Sequence, residues 1–225
     1  MNNLFSNINN MNNIIYIIYS VMLYQEFFIH RTNTFKKSPE LILENYKNKS
    51  LNIVELGTTR SFLSGVLCYD PSYFNVNEPH NWDWGAGIFT KVFSDNLSNN
   101  RIEYKLYSVD PSVDAISVSK HICSDNNNII YINDYSTNFL QNIDFKIDFL
   151  YMDHMESSEE ACIQHLTDSK IVIENDLLSE NGIILIDDVN YPDYIKSKGK
   201  YSIPYFLENN FQLVIGEYQV ILVKS

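Results

Sequence analysis

The chain has 225 residues and a formal net charge of −12, with 45% of its residues apolar and 20% charged. That is the length of one domain, with or without extensions, and the composition of a folded globular chain rather than a disordered or collagen-like one. Such an excess of carboxylates repels phosphate backbones and anionic lipid, so a generic nucleic-acid binder and a lipid-docking protein are both disfavoured. Cys68, Cys123 and Cys162 form no CxxC pair, which fits a reducing, cytoplasmic setting better than a disulfide framework.

In chain order, the first feature is the apolar run Ile14 to Tyr24, followed by Gln25 and Glu26 and then by Phe27, Phe28 and Ile29. A membrane-spanning helix needs about 20 apolar residues, and this run is shorter and meets a carboxylate. No Lys or Arg precedes it and no small-residue cleavage site follows, so a signal peptide is disfavoured as well. The expectation is a helix that packs on the domain or on a second copy of the chain, the second case making a homo-oligomer; membrane anchoring is the alternative. Ser38-Pro39-Glu40 then reads as a helix start, with Ser as N-cap and Pro in the first turn. Residues 1–50 are thus an expected N-terminal helical extension.

From residue 51 the pattern changes. LNIVELG (51–57) is a short apolar run stopped by Gly, as a buried strand would be. An unusually long loop over 62–84 carries Tyr69, Tyr73, Phe74, His80, Trp82 and Trp84, and reads as a lid, an acceptor wall or a packed surface insertion. Strands are then expected at 104–110, 129–133, 147–153 and 181–188. They alternate with helices at 85–97, 111–122, 136–141, 157–178 and 203–210. FQLVIGEYQVILVK (211–224) is two runs around a turn too short for a parallel crossover, so its strands pair antiparallel. The expected fold class is α/β: a Rossmann-like seven-stranded sheet over 51–225, parallel except for one strand of the C-terminal hairpin, with helices on both faces.

In such a sheet, ligands bind beyond the carboxyl ends of the strands, where strand order reverses. Every predicted parallel strand ends in or beside an acid: Glu55 with Gly57, Asp110, Asp134, Asp153 with His154, and Asp187 with Asp188. Asp after a strand often caps the next helix. Acids at so many equivalent positions, however, need cations or hydroxyl donors to receive them. The loop GTTRS is not GxGxxG, so the pyrophosphate-binding fingerprint of NAD sites is missing.

IVELGTTRS and YSVDP, with the terminal hairpin, resemble the class I S-adenosylmethionine-dependent methyltransferases. FLYMDH (149–154) and ILIDDV (184–189) are similar to the metal-site segments of catechol O-methyltransferase and its relatives. The stretch from Ile186 to Val214 resembles the macrocin-type sugar and natural-product O-methyltransferases. The resemblance implies cofactor contacts from Glu55, Gly57, Thr58, Arg60, Ser61, Asp110, Asp134 and Asp153, with Asp110 on the ribose and Asp134 near the adenine. It also implies a Mg²⁺ ion held by Asp153, Asp187 and Asp188. The activity implied is transfer of a methyl group to a hydroxyl of a small molecule. Asp153, His154 and Glu156 are the candidate catalytic residues; Glu156 stands where the catechol enzymes carry a lysine base. A metal-independent methyltransferase and a non-catalytic cofactor-binding partner protein are the alternatives.

Overall fold

In a computed structural model, which describes residues 30–46, 49–83, 88–123 and 126–225, the apolar runs become the seven strands of one sheet. They are β1 (Leu51–Leu56), β2 (Tyr104–Val109), β3 (Ile129–Ile132), β4 (Ile147–Met152), β5 (Leu178–Ile186), β6 (Phe211–Gly216) and β7 (Val220–Lys224). Around them lie α1 (Thr32–Asn45), α2 (Phe89–Asn99), α3 (Val113–Ile122), α4 (Ser136–Asn142), α5 (Glu159–Glu174) and α6 (Ser202–Glu208). All of β4 is buried. A strand covered on both faces has no solvent side, so it reads as a continuous apolar run rather than an alternating one.

The period of two sorts these side chains between two cores. Ile53, Phe149 and Tyr151 point to the side covered by α1, α2 and α3, where Phe35, Phe89, Phe93 and Val118 pack. Val54, Leu56, Leu150 and Met152 point to the side covered by α4, α5 and α6, where Leu140, Val172, Ile203 and Phe206 pack.

The strand order is β3-β2-β1-β4-β5-β7-β6. β1 pairs parallel with both β2 and β4, so the order reverses between them. β7 runs antiparallel to both neighbours, with Ile186 opposite Val220 on one side and Phe211 opposite Lys224 on the other. Six strands therefore point one way and one the other, as the short turn after Gly216 requires.

The structure departs from the sequence reading at α1. The helix begins at Thr32, and Pro39 lies inside it rather than in its first turn. Burial explains this: Thr34 and Phe35 are part of the buried face, which continues N-terminal to the expected start. Ser38 is not a cap but donates its hydroxyl to the Thr34 carbonyl at 2.7 Å. The expected apolar helix at 14–29, the residues before Ile88 in the helix expected from 85, and Trp84 lie outside the described residues. Among the described residues no helix is long and apolar enough to cross a membrane.

The loop after β1 is anchored from within. Phe74 packs on Trp82 and Phe62, with ring centroids 5.2 and 6.1 Å apart, and the Trp82 indole donates to the Asn75 carbonyl at 3.0 Å. Tyr69 and Tyr73 are exposed.

Candidate active site

The switch point of the sheet is built on a close approach of backbones. Gly57, the first residue after β1, has φ +90°, and a Cβ there would lie 2.9 Å from both the N and Cα atoms of His154. Only glycine lets the turn after β1 press this closely on the end of β4. The same turn is tied to β2, because Gly57 N donates to the Val109 carbonyl at 2.9 Å. Asp110 then accepts from Thr58 N at 3.2 Å and from Ser112 N at 2.8 Å. Burial pushes its carboxyl above the ordinary carboxylate range, against the pull of those two backbone bonds.

Two cavities open over these strand ends. One, of about 630 Å³, is walled by Val109, Asp110, Tyr135, Thr137, His154 and Gln164. The other, of about 240 Å³, is walled by Gly57, Thr58, Asp110, Asp153, Asp188 and Lys198. Asp110, His154 and Met155 belong to both. Arg60 and Glu156 stand at the smaller cavity as an ion pair. Glu156 is the more exposed of the two, at 75% for its side chain.

His154 is held from behind. Its ring stacks on His165 with centroids 4.3 Å apart, and burial pushes His165 well below the usual histidine range. Nε2 of His154 lies 2.9 Å from Asp168 Oδ2, outside hydrogen-bond alignment. Asp168 itself is fully buried and accepts from Ser136 Oγ at 2.7 Å, Thr137 Oγ1 at 3.0 Å and Gln164 Nε2 at 3.1 Å. The sequence reading missed Asp168. Its only signal was an acid on the buried face of α5, one turn beyond Gln164.

The expected Mg²⁺ site does not fit. Asp153, Asp187 and Asp188 do stand at the ends of β4 and β5, but the chain supplies its own cations. Lys198 Nζ lies 2.9 Å from Asp153 Oδ1 and 3.0 Å from Asp188 Oδ2. Arg31 Nε, just before α1, lies 3.0 Å from Asp187 Oδ2. Tyr151 donates to the same Asp187 oxygen at 2.5 Å, and Tyr218 donates to Asp188. Among the described residues no group of three or more His, Cys, Asp or Glu side chains is arranged to hold a metal ion. Burial pushes Asp153 up to about 7, against the opposing pull of Lys198. Burial also raises Asp188, but there Lys198, Tyr218 and Arg31 prevail and hold it below the ordinary value.

The remaining candidates are spread around this centre. Asp134 accepts from Tyr135 N at 2.8 Å and Asn138 Nδ2 at 3.1 Å, so its carboxylate is engaged at the start of α4. Ser61 staples the long loop: its hydroxyl donates to the Val66 carbonyl at 2.8 Å and accepts from Cys68 N at 2.9 Å. Glu55 lies beneath the site with no exposure. It accepts from Ser108 Oγ at 2.6 Å and Thr90 Oγ1 at 2.7 Å, and burial pushes it up to about 8.

Glu55 gives the stability of the fold a pH dependence. Its value is raised above the ordinary 4.5 on folding. The stability it allows is therefore fully present below about 4.5, declines as pH rises through the window to about 8, and is lost above it. Glu55→Gln removes the buried charge and keeps an acceptor oxygen. It is expected to unfold several degrees above the wild type at pH 9 and close to it at pH 4.5. Thermal melts across that range check this; a difference independent of pH would assign Glu55 a charge-free role.

The architecture matches solved methyltransferases. PaMTH1 of Podospora anserina, a methyltransferase with S-adenosylhomocysteine bound, aligns at TM-score 0.53 and 14% identity over 95% of this chain and 87% of its own. SMU.1697c of Streptococcus mutans, described as a methyltransferase and also bound to S-adenosylhomocysteine, aligns at 0.51 and 13% over 85% of this chain and 97% of its own. The N-methyltransferase NodS of Bradyrhizobium japonicum aligns at 0.50 and 10%, over 86% of this chain and 98% of its own. No family model and no curated protein matches the sequence. The chain thus has the class I fold of the S-adenosylmethionine-dependent methyltransferases.

Proposed function

We propose that the chain is an S-adenosylmethionine-dependent methyltransferase that acts on a hydroxyl group of a small molecule, and does so without a bound divalent ion. The observation that carries this reading is the pair of cavities meeting at Asp110 and His154, directly over the reversal of strand order. S-adenosylmethionine supplies an electrophilic methyl on a sulfonium. Gly57 leaves room for its methionine part, and the carboxylate of Asp110 receives the ribose hydroxyls. The larger cavity, between the start of α4 and His154, takes the adenine.

The smaller cavity then holds the acceptor. Three groups there were candidates for accepting its proton. Glu156 is mostly exposed and paired with Arg60, and His154 is turned toward Asp168. Asp153 is walled into the cavity and pushed up to about 7, where a carboxylate is basic enough to take a hydroxyl proton near neutral pH. Placing the acceptor in line with the methyl is the site's main contribution to rate. The walls carry Asp110, Asp153, Glu156 and Asp188 against Arg60 and Lys198, and the chain's net charge is −12; this excess of acids favours a neutral or cationic acceptor over a phosphorylated one.

Calorimetry with S-adenosylhomocysteine, followed by a screen of hydroxylated small molecules with labelled methyl donor, tests the reading. Saturable one-to-one binding and label in an ether product are expected. Absence of binding would remove the function, and label on nitrogen alone would change the acceptor class.

A further inference from the structure

Three carboxylates at the ends of two adjacent strands repel one another unless positive charge is placed among them. In this chain that charge is covalently built in. Lys198 is 3% exposed at its side chain, and its ammonium spans the gap from β4 to β5, at 2.9 Å from Asp153 Oδ1 and 3.0 Å from Asp188 Oδ2. Arg31 covers the third acid, Asp187, at 3.0 Å and reaches Asp188 at 4.0 Å. Two monovalent cations together carry the charge of one divalent ion.

Lys198 is not a wandering surface lysine. The turn before it is pinned by Ser197, whose hydroxyl donates to the Tyr194 carbonyl at 2.7 Å and accepts from Gly199 N at 3.2 Å. The residues after it are tied down as well, since Lys200 N donates to the Ser197 carbonyl and Ile203 N to the Gly199 carbonyl, each at 3.1 Å. The backbone on both sides of Lys198 is fixed, and the side chain runs inward from it to the strand ends.

We propose that Lys198 is the resident cation of this site: it takes the place a divalent ion would hold between Asp153 and Asp188, and it excludes such an ion. Mg²⁺ needs hard oxygens at about 2.0–2.1 Å in near-octahedral array. The two oxygens nearest the gap already hold an ammonium, so an ion entering there meets a like charge at hydrogen-bond range. Displacing Lys198 breaks a buried ion pair, which is strongly unfavourable when one partner is left behind. The ammonium also walls the smaller cavity with Gly57 and Thr58, so the positive charge facing the acceptor oxygen comes from the chain. Only this last consequence rests on the methyl-transfer reading; the exclusion of the ion does not.

The test measures ion binding to the full chain with no methyl donor present. Mn²⁺ is followed by electron paramagnetic resonance, and Mg²⁺ by thermal unfolding in 5 mM ion against EDTA. The wild type is expected to bind no stoichiometric Mn²⁺ at micromolar ion and to unfold at the same temperature in both buffers. Lys198→Ala is expected to gain one Mn²⁺ site, at least about tenfold tighter than any wild-type binding, and a Mg²⁺-dependent rise in unfolding temperature. Lys198→Arg restores the charge and is expected to bind neither ion.

Stoichiometric Mn²⁺ binding by the wild type that is lost in Asp188→Asn would overturn the proposal, whether or not Lys198→Ala folds. A folded Lys198→Ala that gains no ion would overturn it too, since the lysine would then hold no ion's place. Calorimetry with S-adenosylhomocysteine on the same wild-type sample keeps the readings apart: its failure removes methyl transfer and leaves the ion result standing.

Discussion

Asp110→Ala is expected to weaken S-adenosylhomocysteine binding by about 10²-fold or more. A carboxylate holding two ribose hydroxyls makes two charge-assisted bonds of about 1.5–3 kcal/mol each, and every ~1.4 kcal/mol is tenfold in affinity. Asp110 is placed for this by the turn itself, since its two oxygens accept from Thr58 N and Ser112 N at 3.2 and 2.8 Å. That anchoring complicates the alanine variant, because it leaves two backbone donors without their acceptor and lowers stability as well. Asp110→Asn retains one acceptor oxygen and separates the two effects. It strands one of the two backbone donors rather than both, so it is expected to lose less stability than the alanine variant and still lose at least tenfold in affinity. Calorimetry on both variants, with melts beside it, decides. Unchanged affinity in either would take the ribose away from Asp110 and the cofactor away from the larger cavity.

The fold was legible because it depends on patterns that run along the chain. Strands buried on both faces must be apolar throughout, so β1, β4 and the second half of β5 stand out as runs. The antiparallel β7 follows from a turn too short for any other connection. Where two local signals competed, the reading failed. Ser38-Pro39 has the chemistry of a helix start, yet tertiary burial of Thr34 and Phe35 carries α1 about two turns further back.

The site was legible in part, and for a related reason. Acids after strands can be located once the strands are, so Asp110, Asp153 and Asp188 emerged together at one cavity. Their partners cannot be located that way. Arg31 precedes α1 and reaches Asp187 across 156 positions of sequence; Lys198 lies in an irregular segment and reaches back 45 positions to Asp153. Neither sits on a periodic element, so no pattern in the sequence aims them. The reading therefore supplied a metal for charges that the chain neutralises itself. Glu156 stands three places after Asp153, where the catechol enzymes carry a lysine, and spacing gives no sign of a lysine arriving from another segment.

The expectation most sensitive to the architecture is Gly57→Ala. Two costs combine at this position. At φ +90° an L-residue is strained, by about 1–2 kcal/mol. The added methyl would also sit 2.9 Å from two backbone atoms of His154, and crowding of this kind costs about 1–3 kcal/mol because no side chain can swing away. The turn after β1 must then lift from the end of β4, which pulls Thr58 from Asp110 and widens the gap between the two cavities. For a chain of this length, about 2–5 kcal/mol lowers the unfolding temperature by roughly 4–20 °C, and cofactor affinity is expected to fall with it. Gly65 supplies the control, since its φ is +82° but a Cβ there has nothing within 4 Å. Gly65→Ala carries the conformational cost without the collision, so it should lose less stability and keep its affinity for S-adenosylhomocysteine. If the two variants behaved alike, the contact between the turn and the end of β4 would not be what shapes the site.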